Sequence, residues 1–256
     1  MKISFCLITL NEEANLDRCL GSFAGLADET VILDSGRTDR TKEIAQAHGA
    51  RFEVQPWPGN VVQKNRVLAL ARNDWVFSID ADEALSAELR DEVRAIQAAP
   101  PPPAEVGGFD MPRCVLYEGR WIRHGDWYPD RLVRLFRREG AKFVGGNVHG
   151  HVEVSGRIRR LRGELEHHSF RDAADHWDRC RKYARLWAES EAGQGRRAGP
   201  LAGPSHAAFR FLRSFVLRRG FMDGRLGFRI ASYSAREVWL KYRLLRERQG
   251  RQGEKR

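Results

Sequence analysis

The sequence predicts an α/β protein: a mostly parallel β-sheet flanked by helices, followed by a C-terminal amphipathic helical extension. Three observations carry this expectation. Short apolar runs alternate with helical patterns through the first hundred or so residues. Polar clusters of Asp, Asn, Ser and Gly stand at the ends of those runs. The C-terminal segment interleaves arginine with aromatic and aliphatic residues at helical spacing.

Taken in order, residues 3–10 read as a strand, 13–23 as a helix, 30–33 as a strand and 38–48 as a helix, a βαβα rhythm. A third apolar run at 51–54 precedes a helix at 61–71, and 75–79 reads as a fully buried strand ending at Asp80. Parallel strands joined by crossover helices follow from that alternation. A helix at 88–99 is stopped by the prolines at 100–103, after which 108–117, 131–137 and 148–154 read as strands. Helical periodicity returns at 172–191, breaks in the Gly- and Pro-rich stretch 193–204, and resumes from His206. The expected organisation is one domain over 1–192, its halves at about 1–100 and 108–192. A basic helical extension at 205–248 and a disordered tail at 249–256 complete it.

Of the 256 residues, 42% are hydrophobic and 30% charged, a balance that excludes wholesale disorder and a polytopic membrane protein. The net charge of +10 is concentrated at one end: residues 196–256 hold 16 Lys or Arg against 4 Asp or Glu. Cys6, Cys19, Cys114 and Cys180 are widely spaced, with no CxxC pair to suggest zinc or a disulfide framework. The opening apolar run is too short for a signal-peptide core, and no stretch is apolar enough to span a bilayer. A cytoplasmic location, peripheral to the inner face of the cytoplasmic membrane, is expected.

In parallel α/β sheets, ligands collect at the carboxyl ends of strands. Three polar clusters fall at such ends: Thr9-Leu10-Asn11-Glu12, Asp34-Ser35-Gly36, and Asp80-Ala81-Asp82-Glu83. A diphosphate leaving group carries concentrated negative charge, and a hard divalent ion held by carboxylates binds and stabilises it. Asp82 and Asp80 suit that task. Asp34 suits the edge of a nucleobase, or simply the forming of a turn, and Lys64 suits a phosphate.

These residues resemble glycosyltransferase family 2, of GT-A (Rossmann-like) fold, in the branch with lipopolysaccharide core glucosyltransferases. The similarity rests on residues 8–12, 33–39, 64–65 and 79–83 and continues through 121–124, 127–130, 134–137, 148–149 and 219–224. The resemblance implies a metal-dependent, inverting transfer of sugar from a nucleoside-diphosphate sugar, UDP-sugar favoured, to a hydroxyl of a cell-surface glycan or lipid-linked acceptor. Thr9, Leu10, Asn11, Glu12, Asp34, Lys64, Asp80 and Ala81 would hold the nucleotide. Asp82 and Asp80 would hold Mg²⁺ or Mn²⁺, and Trp127 and Arg134 would stand on the acceptor side.

Two positions depart from the family pattern. Arg37 replaces a usual serine, and Gly150 stands where the family's Val-His-Glu carries its presumed base. If 148–154 is a strand, His149, His151 and Glu153 share one face and Gly150 the other. The candidates for the base are then His149, Glu153 and Asp130, with Asp126 a further loop carboxylate. A nucleotide-sugar-binding homologue without turnover is the alternative reading. The basic aromatic end region suits an anionic membrane surface, or packing on the rest of the chain or on a sister subunit as a homo-oligomer. Nucleic acid is not expected, since no recognised binding motif accompanies the charge.

Overall fold

The computed structural model describes residues 1–146, 150–170 and 172–253, and the chain divides into two compact units. The first comprises Met1–Cys114 and Asp130–Ser169; the second comprises Val115–Pro129 and the chain from Phe170 onward. In chain order the elements are β1 (Ile3–Thr9), α1 (Leu16–Ser22), β2 (Glu29–Asp34), α2 (Thr41–Ala47), β3 (Arg51–Val54), α3 (Asn60–Leu70) and β4 (Trp75–Ser78). Then come β5 (Glu83–Leu85), α4 (Ala87–Ala98), β6 (Val106–Tyr117), β7 (Arg120–Ile122), β8 (Asp130–Arg137), β9 (Lys142–Gly145) and β10 (Gly150–Glu153). The chain closes with β11 (Arg157–Arg160), β12 (Leu165–His167), α5 (Ala173–Gly193), α6 (Ala202–Leu212) and α7 (Gly224–Gly253).

In the first unit the strand order is β3-β2-β1-β4-β8-β6-β12-β5. The first four strands are parallel, and β8 joins β4 antiparallel, with Phe77 opposite Leu135. The α/β class expected from the sequence is therefore observed. Strand β1 explains why its run is apolar throughout. Ile3, Phe5 and Leu7 enter one core with Leu16, Leu20 and Leu89, while Cys6 enters the other with Val67, Val76 and Phe136. Alternate side chains leave opposite faces of the sheet, and helices cover both. Phe5 stacks on Phe23 at 4.1 Å and on Phe77 at 4.9 Å.

Helix α1 begins at Leu16, later than the sequence pattern suggests, because Asn11 adopts φ 56° and Glu12 accepts backbone bonds that shape a turn first. Asn is among the few residues that enter the left-handed region readily. Helix α4 is capped by Ser86, whose hydroxyl accepts from the Leu89 amide at 3.2 Å.

In the second unit, helices α5, α6 and α7 pack with β7 and the turn 125–127. The apolar centre is Tyr117, Ile122, Leu226 and Ile230, with Trp127 and Phe170 against it. Trp127 and Phe170 stack with centroids 5.0 Å apart, and His176 donates or accepts at the Tyr117 hydroxyl, 3.1 Å away. Helix α5 thus belongs with the C-terminal helices, whereas the sequence reading grouped it with the first 192 residues. Helix α7 runs on to Gly253, past the expected start of the tail at 249. Arg248 pairs with Glu189 at 2.6 Å and Gln249 donates to the Arg196 carbonyl at 3.1 Å, so this turn has partners. Residues 254–256 lie outside the described residues.

Candidate functional site

The loops after β1 and β2 are built around Asp34, which is fully buried. Its Oδ2 accepts from the Thr9 hydroxyl at 2.8 Å, and its Oδ1 accepts from the Gly36 and Arg37 amides at 2.9 Å each. Asn11 Oδ1 accepts from the Thr38 amide at 2.8 Å. Asp39 accepts from the Thr41 hydroxyl at 2.6 Å and from the Glu13 amide at 3.1 Å. Burial alone would raise the Asp39 carboxyl, but together the bonds from Thr41 and the backbone amides more than reverse that and hold it below its ordinary range. The two loops are therefore clasped to each other before any ligand arrives. Gln63 on α3 is buried behind them, its amide nitrogen 3.4 Å from the Ser35 hydroxyl.

At the end of β4 the carboxylates divide their work. Asp80 gives one oxygen to Lys64 Nζ at 2.7 Å and the other to Arg134 at 2.8 Å. The same guanidinium reaches the buried Glu83 at 2.6 Å, and Glu83 accepts the Asp80 amide at 3.0 Å. Burial alone would raise the Asp80 pKa, but Lys64 and Arg134 overcome it and hold the carboxyl far below its usual range. The two acids in turn push the Arg134 pKa up against the effect of its own burial. Asp82 has a different neighbour. Its Oδ2 lies 3.2 Å from His167 Nε2, and its carbonyl accepts the His168 amide at 2.8 Å. Burial raises the Asp82 pKa, and the His167 contact more than reverses that. Nearby, burial pushes the Glu12 carboxyl up, the Asn15 bond relieves it in part, and the charges of Asp82, Asp39 and Asp80 add to the rise. The strand ends thus share one negative field.

Beside this cluster lies a cleft of about 630 Å³ whose wall includes Lys64, Asp80, Arg113, Asp130, Arg134 and Gly150. Asp130 pairs with Arg113 at 2.6 Å. Strand β10 turns Gly150 toward α3, where an added Cβ would sit 2.8 Å from Val61 Cγ2. His151 and Glu153 share the opposite face, each side chain about two-thirds exposed.

Residues 4–114 match the model described as glycosyl transferase family 2. An uncharacterized glycosyltransferase of Rickettsia typhi is 30% identical over 96% of this chain and 87% of its own length. The chain belongs to glycosyltransferase family 2. The lipopolysaccharide core biosynthesis glycosyltransferase LpsC of Rhizobium meliloti is 31% identical over 77% of this chain and 74% of its own. A crystal structure of glucosyl-3-phosphoglycerate synthase from Mycobacterium tuberculosis, in complex with Mn²⁺, UDP and glucosyl-3-phosphoglycerate, is 30% identical over 46% of this chain and 44% of that one. Its TM-score is 0.35.

In this family 2 glycosyltransferase the structure brings Thr9, Asn11, Glu12, Asp34, Lys64, Asp80 and Asp82 to the strand ends of the first unit. Ala81 is buried among them and Leu10 is exposed. Arg134, expected on the acceptor side, lines the cleft and is buried against Asp80 and Glu83. Of the candidate bases, Asp130 lines the cleft, Glu153 does not, and His149 lies outside the described residues. Trp127 packs in the second unit's aromatic centre. Asp126 belongs to that unit too, ringed by Arg210, Arg213 and Arg218 at 3.2, 3.5 and 3.7 Å.

The sequence reading does not single out His167, Arg113 or Gln63. His167 comes to Asp82 only because β12 pairs with β5, with His167 opposite Glu83. The adjacent imidazoles at 167 and 168 were the available signal.

Proposed function

We propose that the first unit transfers a sugar from a nucleoside-diphosphate sugar, with a UDP-sugar the first donor to try, to a hydroxyl of a cell-surface glycan or lipid-linked acceptor. The observation that carries this reading is the Asp82–His167 pair beside the Lys64, Arg113 and Arg134 cleft. Their 3.2 Å separation suits two adjacent ligands on an octahedral Mg²⁺ or Mn²⁺, for which about 3.0 Å is expected from metal–ligand distances near 2.1 Å. Asp80 is committed to two cations, so Asp82 is the metal-facing carboxylate and Asp80 orients Lys64 and Arg134. Among the described residues no third His, Cys, Asp or Glu completes a metal group, so the ion's remaining positions would fall to diphosphate and water. When bound, the ion supplies charge stabilisation of the leaving diphosphate.

The chain's own residues do the rest. Lys64 and the arginines face the diphosphate, and the pre-formed loops after β1 and β2 receive the nucleoside. Asp130 is the general base. Its carboxylate takes the proton as the acceptor oxygen bonds to the anomeric carbon, while the electron pair of the breaking C–O bond leaves on the diphosphate, with inversion. In this reading Asp130 does the work of the carboxylate absent at Gly150. The basic second unit brings the enzyme to an anionic membrane surface.

The test is titration of UDP with and without Mn²⁺, followed by donor hydrolysis and transfer assays. Loss of Mn²⁺-dependent UDP binding in both Asp82→Ala and His167→Ala is expected, with Asp130→Asn binding UDP normally but failing to turn over. Retained metal-dependent binding in Asp82→Ala would sink the metal assignment. Binding with no hydrolysis or transfer in the parent protein would leave the non-catalytic binding reading.

A further inference from the structure

Within the second unit the chain reverses direction between α6 and α7 through one compact device. Helix α6 continues into a wider turn at Arg213–Leu217, the backbone reverses at Arg219 with φ 56°, and a single turn at Gly220–Asp223 leads into α7. Its base is tied down. The Gly125 amide donates to the Arg218 carbonyl at 2.9 Å, and Asp223 accepts the His124 amide at 2.9 Å with the His124 ring 3.0 Å away. Gly220 and Gly227 allow backbone contact that a Cβ would block, at 2.6 Å from the Ser214 oxygen and 1.8 Å from the Gly220 oxygen.

The tip of this anchored reversal is apolar and in solvent. Leu217 is 64% exposed, Met222 53% and Phe221 52%, with Leu212, Val216 and Phe228 also exposed beside them. Around it the charge has one sign, since residues 196–222 contain six arginines and no Asp or Glu. Arg210, Arg213 and Arg218 converge on Asp126, and neither of that buried carboxylate's oxygens makes a well-formed hydrogen bond. Three guanidinium groups sharing one acid keep positive charge and donors for another anion. Arg219, Arg225 and Arg236 form no ion pair among the described residues. A groove of about 530 Å³, lined by Phe215, Phe221, Phe228 and Tyr233 with Arg225 and Arg236, lies alongside.

We infer that this reversal is a wedge for an anionic lipid bilayer. Leu217, Phe221 and Met222 enter the boundary between headgroups and acyl chains, and lipid phosphate is held by the arginines around Asp126. Apolar tips ringed by cations match both halves of such a surface. Among the described residues no helix is long and apolar enough to cross a membrane. The inference deepens the membrane reading above and is independent of donor binding.

The experiment is sedimentation of the full chain with vesicles of phosphatidylcholine alone or with about one-third phosphatidylglycerol, at low and high salt. Binding is expected only with the anionic lipid, weakening with salt. The triple variant L217S/F221S/M222S and the double variant R213Q/R218Q should each weaken it about tenfold or more. Both should keep the parent's circular dichroism and UDP binding, and the triple variant should keep its melting temperature, whereas R213Q/R218Q, which leaves the buried Asp126 with Arg210, should melt lower. Four results would overturn the proposal: equal binding by the triple variant; displacement by millimolar inorganic phosphate; duplex DNA binding that survives the triple variant; or a dimer that the triple variant dissociates while no vesicle is bound.

Discussion

At the scale of single residues, the Asp80 cluster is a place where charges are buried because they are matched. Arg134 is 6% exposed and serves two acids, so Arg134→Ala leaves Asp80 with Lys64 as its cation and Glu83 with the longer Arg113 contact at 3.7 Å and the Asp80 amide. A loss of about 3 kcal/mol is expected, read by chemical denaturation. Arg134→Lys should recover only part of it, since an ammonium cannot fork between the two carboxylates. His176 makes a prediction of the opposite sign to an ion pair. Burial pushes its pKa down to about 4 from 6.5, so between those values the unfolded chain takes up a proton that the folded chain refuses. Stability should be intact above about pH 6.5 and fall as the pH drops toward 4, by up to about 3 kcal/mol. Melting curves across that range check this, and His176→Phe should flatten the slope.

At the scale of elements, close backbone approaches mark where no side chain fits. Gly163 lies where a Cβ would come within 2.2 Å of the Leu89 amide, locking the loop before β12 against α4. Gly163→Ala is expected to cost about 3 kcal/mol, because backbone rather than a rotamer must move. By contrast Gly193, in the last turn of α5, has nothing within 4 Å of its Cβ position, and Gly193→Ala should be neutral or stabilising by about 0.5 kcal/mol. A shift in melting temperature for the first and not the second is the readout. Local pattern made β1 to β4 and their helices legible, because each run buries side chains on both faces of a parallel sheet. It gave no sign of β5 or β12, three-residue strands whose pairing joins Leu85 to Leu165, far apart in the chain. The same distance hid His167. The clusters containing Asp34 and Asp80 were visible as polar residues at strand ends, and the turn at Asp34 is local, but Arg134 reaches Asp80 from far along the chain only through folding.

At the scale of the whole molecule, the four cysteines are all buried and none forms a disulfide. Burial pushes the Cys6 and Cys180 thiols up to about 12, and Cys19 well above its ordinary value. The thiolate is the reactive form, so native protein should react with an aromatic disulfide reagent far more slowly than protein unfolded in guanidinium. Rapid modification of all four thiols in the native state would contradict the packing described. Charge is likewise a property of the whole: the basic second unit sets a pI near 9.9 for a chain whose first unit carries the acidic strand ends.

The antiparallel seam between β4 and β8 does more than close a sheet. It sets Phe77 opposite Leu135 and so delivers Arg134 to Asp80 and Glu83. A slip of one residue would turn every β8 side chain to the other face, taking Arg134 from its acids and replacing it with an apolar neighbour. The cluster therefore reports the register: a mispaired molecule loses the ion pairs that hold Asp80 and Glu83, and its stability falls with them. On the proposed reading, the number of donor sites per chain in a fresh preparation, rather than the affinity, counts the molecules that paired correctly.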